Sequence, residues 1–97
     1  MLKDRLRAYR DLAASEARAA ETWQEMVFWE DHMRILTQCI RHGPQRPRDF
    51  CRWARKQKRR QVVYTSCGWD DAIDVARKRI AVNQFGQIAA RGRRYQG

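Results

Sequence analysis

Neither glycine nor proline occurs between Met1 and His42, and the whole chain of 97 residues has only five glycines and two prolines. That scarcity excludes a loop-rich first half. The stretch is filled instead with Ala, Leu, Arg, Glu and Met, the strong helix formers, and it predicts one long helix or two nearly collinear ones. Long apolar runs are equally scarce. The longest uncharged stretch runs from Ile80 to Ala90 and includes Asn83, Gln84 and Gln87, well short of the roughly 18 apolar residues that span a bilayer. No membrane partner is expected. Cysteine is limited to three residues, an odd number that excludes a fully paired disulfide framework and suits a reducing compartment. Asp4, Asp11 and Glu16 near the N-terminus are of the kind that import presequences avoid, so a cytoplasmic location is expected.

At this length the expectation is one domain over residues 1–97, with a modest core and little room for a deep catalytic cleft. There is no Gly-rich phosphate loop and no paired-carboxylate signature. Cys67, in Ser66-Cys67-Gly68, is the one thiol in an obvious loop near basic residues, yet no His, Asn or Asp spacing supports a nucleophile there. Neither an enzyme nor a cofactor is expected. Cys39, His42, Cys51 and Cys67 have donor types that suit zinc, but their spacing contains only one knuckle-like pair and no Cys-x2-Cys. The plainer expectation is that Cys39 and Cys51 pack as small hydrophobes, that His42 caps a helix, and that His32 is a surface or capping residue. Asp70, Asp71 and Asp74 read better as dipole partners at a helix start than as cation ligands.

What the chain has in excess is positive charge, and it is segregated. Residues 1–43 carry seven basic and seven acidic side chains, whereas residues 44–97 carry 14 basic side chains against four aspartates, which is the entire net +10. The densest stretch holds Arg46, Arg48, Arg52, Arg55, Lys56, Lys58, Arg59 and Arg60 with only Asp49 among them. A basic run is often no more than a solvated face. Against that, like charges at this density weaken a helix, a cost that an anionic partner removes.

Punctuation divides the chain at His42-Gly43-Pro44-Gln45-Arg46-Pro47, where a C-capping Gly is followed by prolines that cannot continue a helix. Upstream, apolar residues fall at helical spacing as Leu2, Leu6, Tyr9 and Ala13, then Ala20, Trp23 and Val27, then Met26, Trp29, Met33, Leu36 and Ile40. The Ala-rich middle permits close helix approach or marks a break. Downstream, Arg48 to about Arg60 reads as a shorter helix with Phe50, Trp53 and Ala54 inward. Residues 61–65 could be a short extended segment. Gly68 breaks the pattern before a last helix opens at Trp69-Asp70-Asp71, with Ile73, Ala76 and Ile80 on its apolar face and Arg77, Lys78 and Arg79 in its second half. The end, from Arg91, reads as a mobile basic arm. The expected architecture is all-α, a small helical bundle with a long N-terminal helix, bent or straight, and two shorter helices. Residues 1–43 form a neutral helical half, 44–90 a basic one, and 91–97 the arm.

Arg52 to Gln61, RWARKQKRRQ, resembles the arginine-rich helical segments that dock into RNA or DNA grooves. The residues expected to contact phosphate are Arg46, Arg48, Arg52, Arg55, Lys56, Lys58, Arg59 and Arg60, with Arg77, Lys78, Arg79, Arg91, Arg93 and Arg94 as a second set. Trp53, Tyr64, Trp69 and Tyr95 are interleaved with the charge and could stack on bases, although burial is the expectation for Trp53 and Trp69. A helix-turn-helix fits poorly, because about eight residues separate the two candidate helices and the first is the more basic. The leading expectation is a small nucleic-acid-binding accessory or regulatory protein, with an acidic protein surface as the other polyanion. A rival is a helical inhibitor or adaptor of the kind phages and mobile elements encode, docking on a larger protein through Trp23, Met26, Phe28, Trp29 and Met33. These five are too many large apolar residues for one core. A homodimer through the N-terminal helix is a further possibility.

Overall fold

The computed structural model describes residues 1–60 and 67–78. Four helices follow one another, α1 (Leu2–Ala19), α2 (Trp23–His42), α3 (Pro47–Arg60) and α4 (Cys67–Ala76), and the described residues contain no strand. The all-α bundle expected from the sequence is the one found. The extended segment considered for residues 61–65, the continuation of the last helix past Lys78 and the arm at 91–97 lie outside the described residues.

The N-terminal half is neither a single helix nor a collinear pair. It folds back at Ala20-Glu21-Thr22, where Ala20 leaves the helix in an extended conformation and Thr22 caps α2 by accepting a hydrogen bond from the Glu25 backbone N–H at 3.2 Å. Thr22 and Glu25 have the spacing of a capping box. The physical reason for the turn is burial. A straight rod would leave Leu2, Leu6, Tyr9 and Ala13 in water, whereas the hairpin buries all four against α2.

Lys3 closes the open end of this hairpin. Its ammonium donates to the carbonyl oxygens of Cys39, Ile40 and Gly43, at 2.9, 2.8 and 2.6 Å, and so uses all three hydrogens on the last turn of α2 and its cap, where the Cys39 oxygen also accepts from the Gly43 N–H. The positive charge also sits at the negative end of the helix dipole. Burial lowers the Lys3 pKa from its ordinary value, partly offset by the nearby Cys39. Lys3→Met is expected to cost about 2 kcal/mol in urea unfolding, the scale of charge-assisted hydrogen bonds at a helix end. A change below a few tenths would contradict this role.

The core runs from Leu6 and Tyr9 through Phe28, Trp29, Ile35, Leu36 and Cys39 to Phe50, Ala54, Trp69, Ala72 and Val75. At its centre is a polar cluster to which three helices each contribute one residue. His32 is fully buried, Asp71 nearly so, and the His32 Nε2 lies 3.0 Å from an Asp71 carboxylate oxygen that also accepts from the Tyr9 hydroxyl at 3.4 Å. The His32 Nδ1 lies 2.8 Å from the Phe28 carbonyl, which can only accept, so that nitrogen carries hydrogen. The rings of Phe28, Trp29 and Tyr9 surround the imidazole at centroid distances of 4.2, 5.4 and 6.0 Å. The surface or capping role expected for His32 is therefore corrected. Asp71 is likewise no simple dipole partner, because it joins α4 to α1 and α2.

Gly68 does not interrupt the chain but lies in the first turn of α4, which begins two residues before Trp69. A Cβ at Gly68 would stand 2.6 Å from the Ile35 Cδ1, so the glycine lets α4 approach α2. α4 then ends at Ala76, earlier than the sequence suggests. Lys78 adopts a left-handed conformation, φ 60°, and its N–H donates to the Val75 carbonyl at 3.1 Å.

Asp31 is buried with its Oδ1 3.3 Å from Arg34, while its Oδ2 has no hydrogen-bond partner among the described residues. Burial raises its pKa above the usual carboxylate range, with Arg34 opposing. The folded state thus favours the protonated form, a contribution present below about pH 4 and lost as pH rises through the raised folded value. The stability of Asp31→Asn relative to the wild type should therefore improve between pH 4 and pH 7 in paired thermal melts. A pH-independent difference would contradict the assignment.

Candidate nucleic-acid interface

α3 is built to hold a charged face in place. Pro47 occupies its first turn, where its missing N–H costs nothing, and the Arg46 carbonyl accepts from Phe50 N–H at 2.8 Å. Gly43 ends α2 beneath it. A Cβ there would fall 2.5 Å from the Cys39 carbonyl and 3.1 Å from the Phe50 ring, so glycine is what lets the two segments meet. Phe50, Cys51 and Ala54 are buried, and Trp53 is half-buried with its ring 5.8 Å from both Phe50 and Trp69.

Opposite this anchor lie Arg48, Arg52, Arg55 and Arg59, at i, i+4, i+7 and i+11. At ~100° per residue they fall within about 60° of one another, and they extend over roughly 16 Å of helix. All four are exposed, and none has an ion-pair or hydrogen-bond partner among the described residues. Lys56 and Arg60 are exposed on the flank, and Arg46 is exposed just before the helix. Lys58 differs from its neighbours. It is half-buried and held by Asp70 of α4, with Nζ 2.9 and 3.1 Å from the two carboxylate oxygens. Asp49 in the first turn and Lys58, Arg59 and Arg60 in the last agree in sign with the helix dipole, which offsets part of their mutual repulsion.

The end of α4 joins this surface. Arg77 and Lys78 are exposed, and Arg77 lines two clefts along the α3–α4 seam. One, of about 330 Å³, is bounded by Pro47, Arg48, Cys51, Arg52, Arg55 and Arg77. The other, of about 580 Å³, is bounded by Arg55, Lys58, Arg59, Asp70, Ile73, Asp74 and Arg77. The two sets of basic residues that the sequence kept apart, on α3 and around residue 77, thus meet. Arg79, Arg91, Arg93 and Arg94 lie outside the described residues, as do Tyr64 and Tyr95.

Trp69 is buried and unavailable for base stacking, as the sequence suggested, and Trp53 presents only part of its ring. The partner surface expected on the first helical half needs a correction. Phe28 and Trp29 are in the core, because the hairpin turns that side of α2 toward α1, while Met26 and Met33 are half-buried and only Trp23 stands out, at 65 % exposure. Cys39 and Cys51 are buried free thiols, and burial pushes the Cys39 pKa up to about 12. Among the described residues no three His, Cys, Asp or Glu side chains converge on a common point, and the Cys67 side chain lies outside them. No helix among the described residues is long and apolar enough to cross a membrane.

The sequence reading missed Tyr9, His32 and Asp71 as a unit and Lys3 as a cap. Only Thr22-x-x-Glu25 left a local signal. No protein family, curated protein or solved structure matches this chain.

Proposed function

We propose that the protein binds nucleic acid through the arginine face of α3, as a small accessory or regulatory factor that grips the phosphate backbone. One observation carries this reading. Arg48, Arg52, Arg55 and Arg59 form a single exposed row without carboxylate partners among the described residues, on a helix whose other side is fixed in the core. Guanidinium groups at that spacing suit successive phosphates. The row adds to a general field that attracts polyanions and depends on salt. Lys56, Arg60, Arg46, Arg77 and Lys78 widen the contact, and Lys58, engaged with Asp70, contributes least. Phosphate contacts of this kind position a protein without reading sequence.

A docking reading through the first helical half retains mainly Trp23 once Phe28 and Trp29 are assigned to the core. It is not adopted. The test is a chemical-shift map of the isotope-labelled protein titrated with a duplex DNA and a hairpin RNA. Shifts concentrated on residues 46–60 and 77–78 support the reading. Shifts centred on Trp23 and α1, or none at low salt, would overturn it and point to an acidic protein or another partner.

A further inference from the structure

The two clefts on the α3–α4 seam share Arg55 and Arg77 but differ in charge. The larger is partly neutralised, with Asp70 and Asp74 against Arg55, Lys58, Arg59 and Arg77, and Lys58 is paired with Asp70. The smaller has Arg48, Arg52, Arg55 and Arg77 on its walls and no carboxylate among the described residues. Four guanidinium groups at the mouth of one cleft repel one another, and none of the four has an anionic partner among the described residues. Three come from consecutive turns of α3 and the fourth from the end of α4, so the cleft exists only because the two helices pack.

We infer that this cleft is a discrete seat for one phosphate group of the bound strand, enclosed from two helices, whereas the remainder of the basic surface acts as a diffuse field. The inference rests on the nucleic-acid reading above and assigns a register point within it. A tetrahedral phosphate offers several acceptor oxygens, and guanidinium is the group that meets two of them at once in a fixed plane. The seat therefore depends on the shape of the arginine head as well as its charge. Exposed arginines away from the seam, such as Arg18 of α1 and Arg41 of α2, do not line this cleft.

Charge-conserving substitution separates the two. The pair Arg52→Lys with Arg77→Lys is compared with the control pair Arg18→Lys with Arg41→Lys, by fluorescence anisotropy on a labelled hairpin RNA and a duplex DNA at fixed salt. The cleft pair should lose about tenfold in affinity and the control pair less than twofold, with similar salt slopes because no charge is lost. Equal losses in the two pairs, with the wild type still binding, would overturn the seat and leave the general reading standing. No binding by the wild type would overturn both. Inorganic phosphate provides the second arm. Saturable shifts of the Arg52 and Arg77 side-chain signals with phosphate alone, in a protein that binds no strand, would reassign the cleft to free phosphate compounds and overturn the strand assignment.

Discussion

Replacing Arg48, Arg52, Arg55 and Arg59 together by Gln should lower nucleic-acid affinity by on the order of 100-fold or more near 0.1 M salt, and leave the fold intact or slightly more stable. Each lost phosphate contact removes released counterions from the binding equilibrium, so the slope of log K against log salt should become shallower by about 3 to 4. The predicted rise or constancy in stability follows from the same residues. They are exposed and without partners among the described residues, so their removal costs no contact and relieves repulsion between positions four apart on α3. Opposite directions in binding and stability distinguish loss of a contact surface from unfolding. A variant that melts normally and binds like the wild type would show that α3 is only a solvated face.

The largest effect on the fold is expected at the buried polar cluster. Asp71→Ala removes the carboxylate 3.0 Å from the fully buried His32, to which the Tyr9 hydroxyl also donates. Removing one member of a buried pair typically costs about 3–5 kcal/mol, because the other is left desolvated and uncompensated. A chain of this size has a total stability of roughly 5–10 kcal/mol, so the melting temperature should fall by about 15 °C or more, or folding should fail. His32→Phe combined with Asp71→Leu provides the control. It removes both polar groups together, and it should recover a substantial part of the loss if the cost in the single variant is uncompensated polarity rather than lost volume. Additive losses would contradict that account.

Much of the fold was legible in the sequence. Leu2, Leu6, Tyr9 and Ala13 at helical spacing are the buried face of α1, the Gly43-Pro44 break is real, and α3, Pro47–Arg60, starts one residue before the expected Arg48. The error on α2 has a specific cause. Its buried stripe is Phe28, His32, Ile35 and Cys39 with Trp29 and Leu36 beside it, whereas the apolar count picks out Met26, Trp29, Met33, Leu36 and Ile40, about 100° round the helix. A histidine in the middle of the stripe hides it from any count of apolar residues, and its reason for being inside is Asp71, 39 positions away. The long rod was favoured by the absence of glycine and proline from Met1 to His42. The competing signal was one capping threonine.

The candidate site was legible in part for the same reason. The spacing of Arg48, Arg52, Arg55 and Arg59 can be read directly from the chain, and the inward positions of Phe50 and Ala54 fix which way the row faces. That Lys58 would be engaged by Asp70, and that Arg77 would share a cleft with Arg52, depends on how α3 and α4 pack. Helical periodicity carries no information about that distance. Lys3 illustrates the same limit, since its three acceptors belong to the far end of another helix.

The central claim is that the basic face of α3 binds nucleic acid through several phosphates. Its most direct test is the affinity of the nuclease-treated wild-type protein for a labelled random duplex DNA and a hairpin RNA across a salt titration. The account predicts a linear fall of log K with log salt at a slope of about −4 or steeper, matching four or more neutralised phosphates. No binding at low salt, or an affinity indifferent to salt, would contradict it.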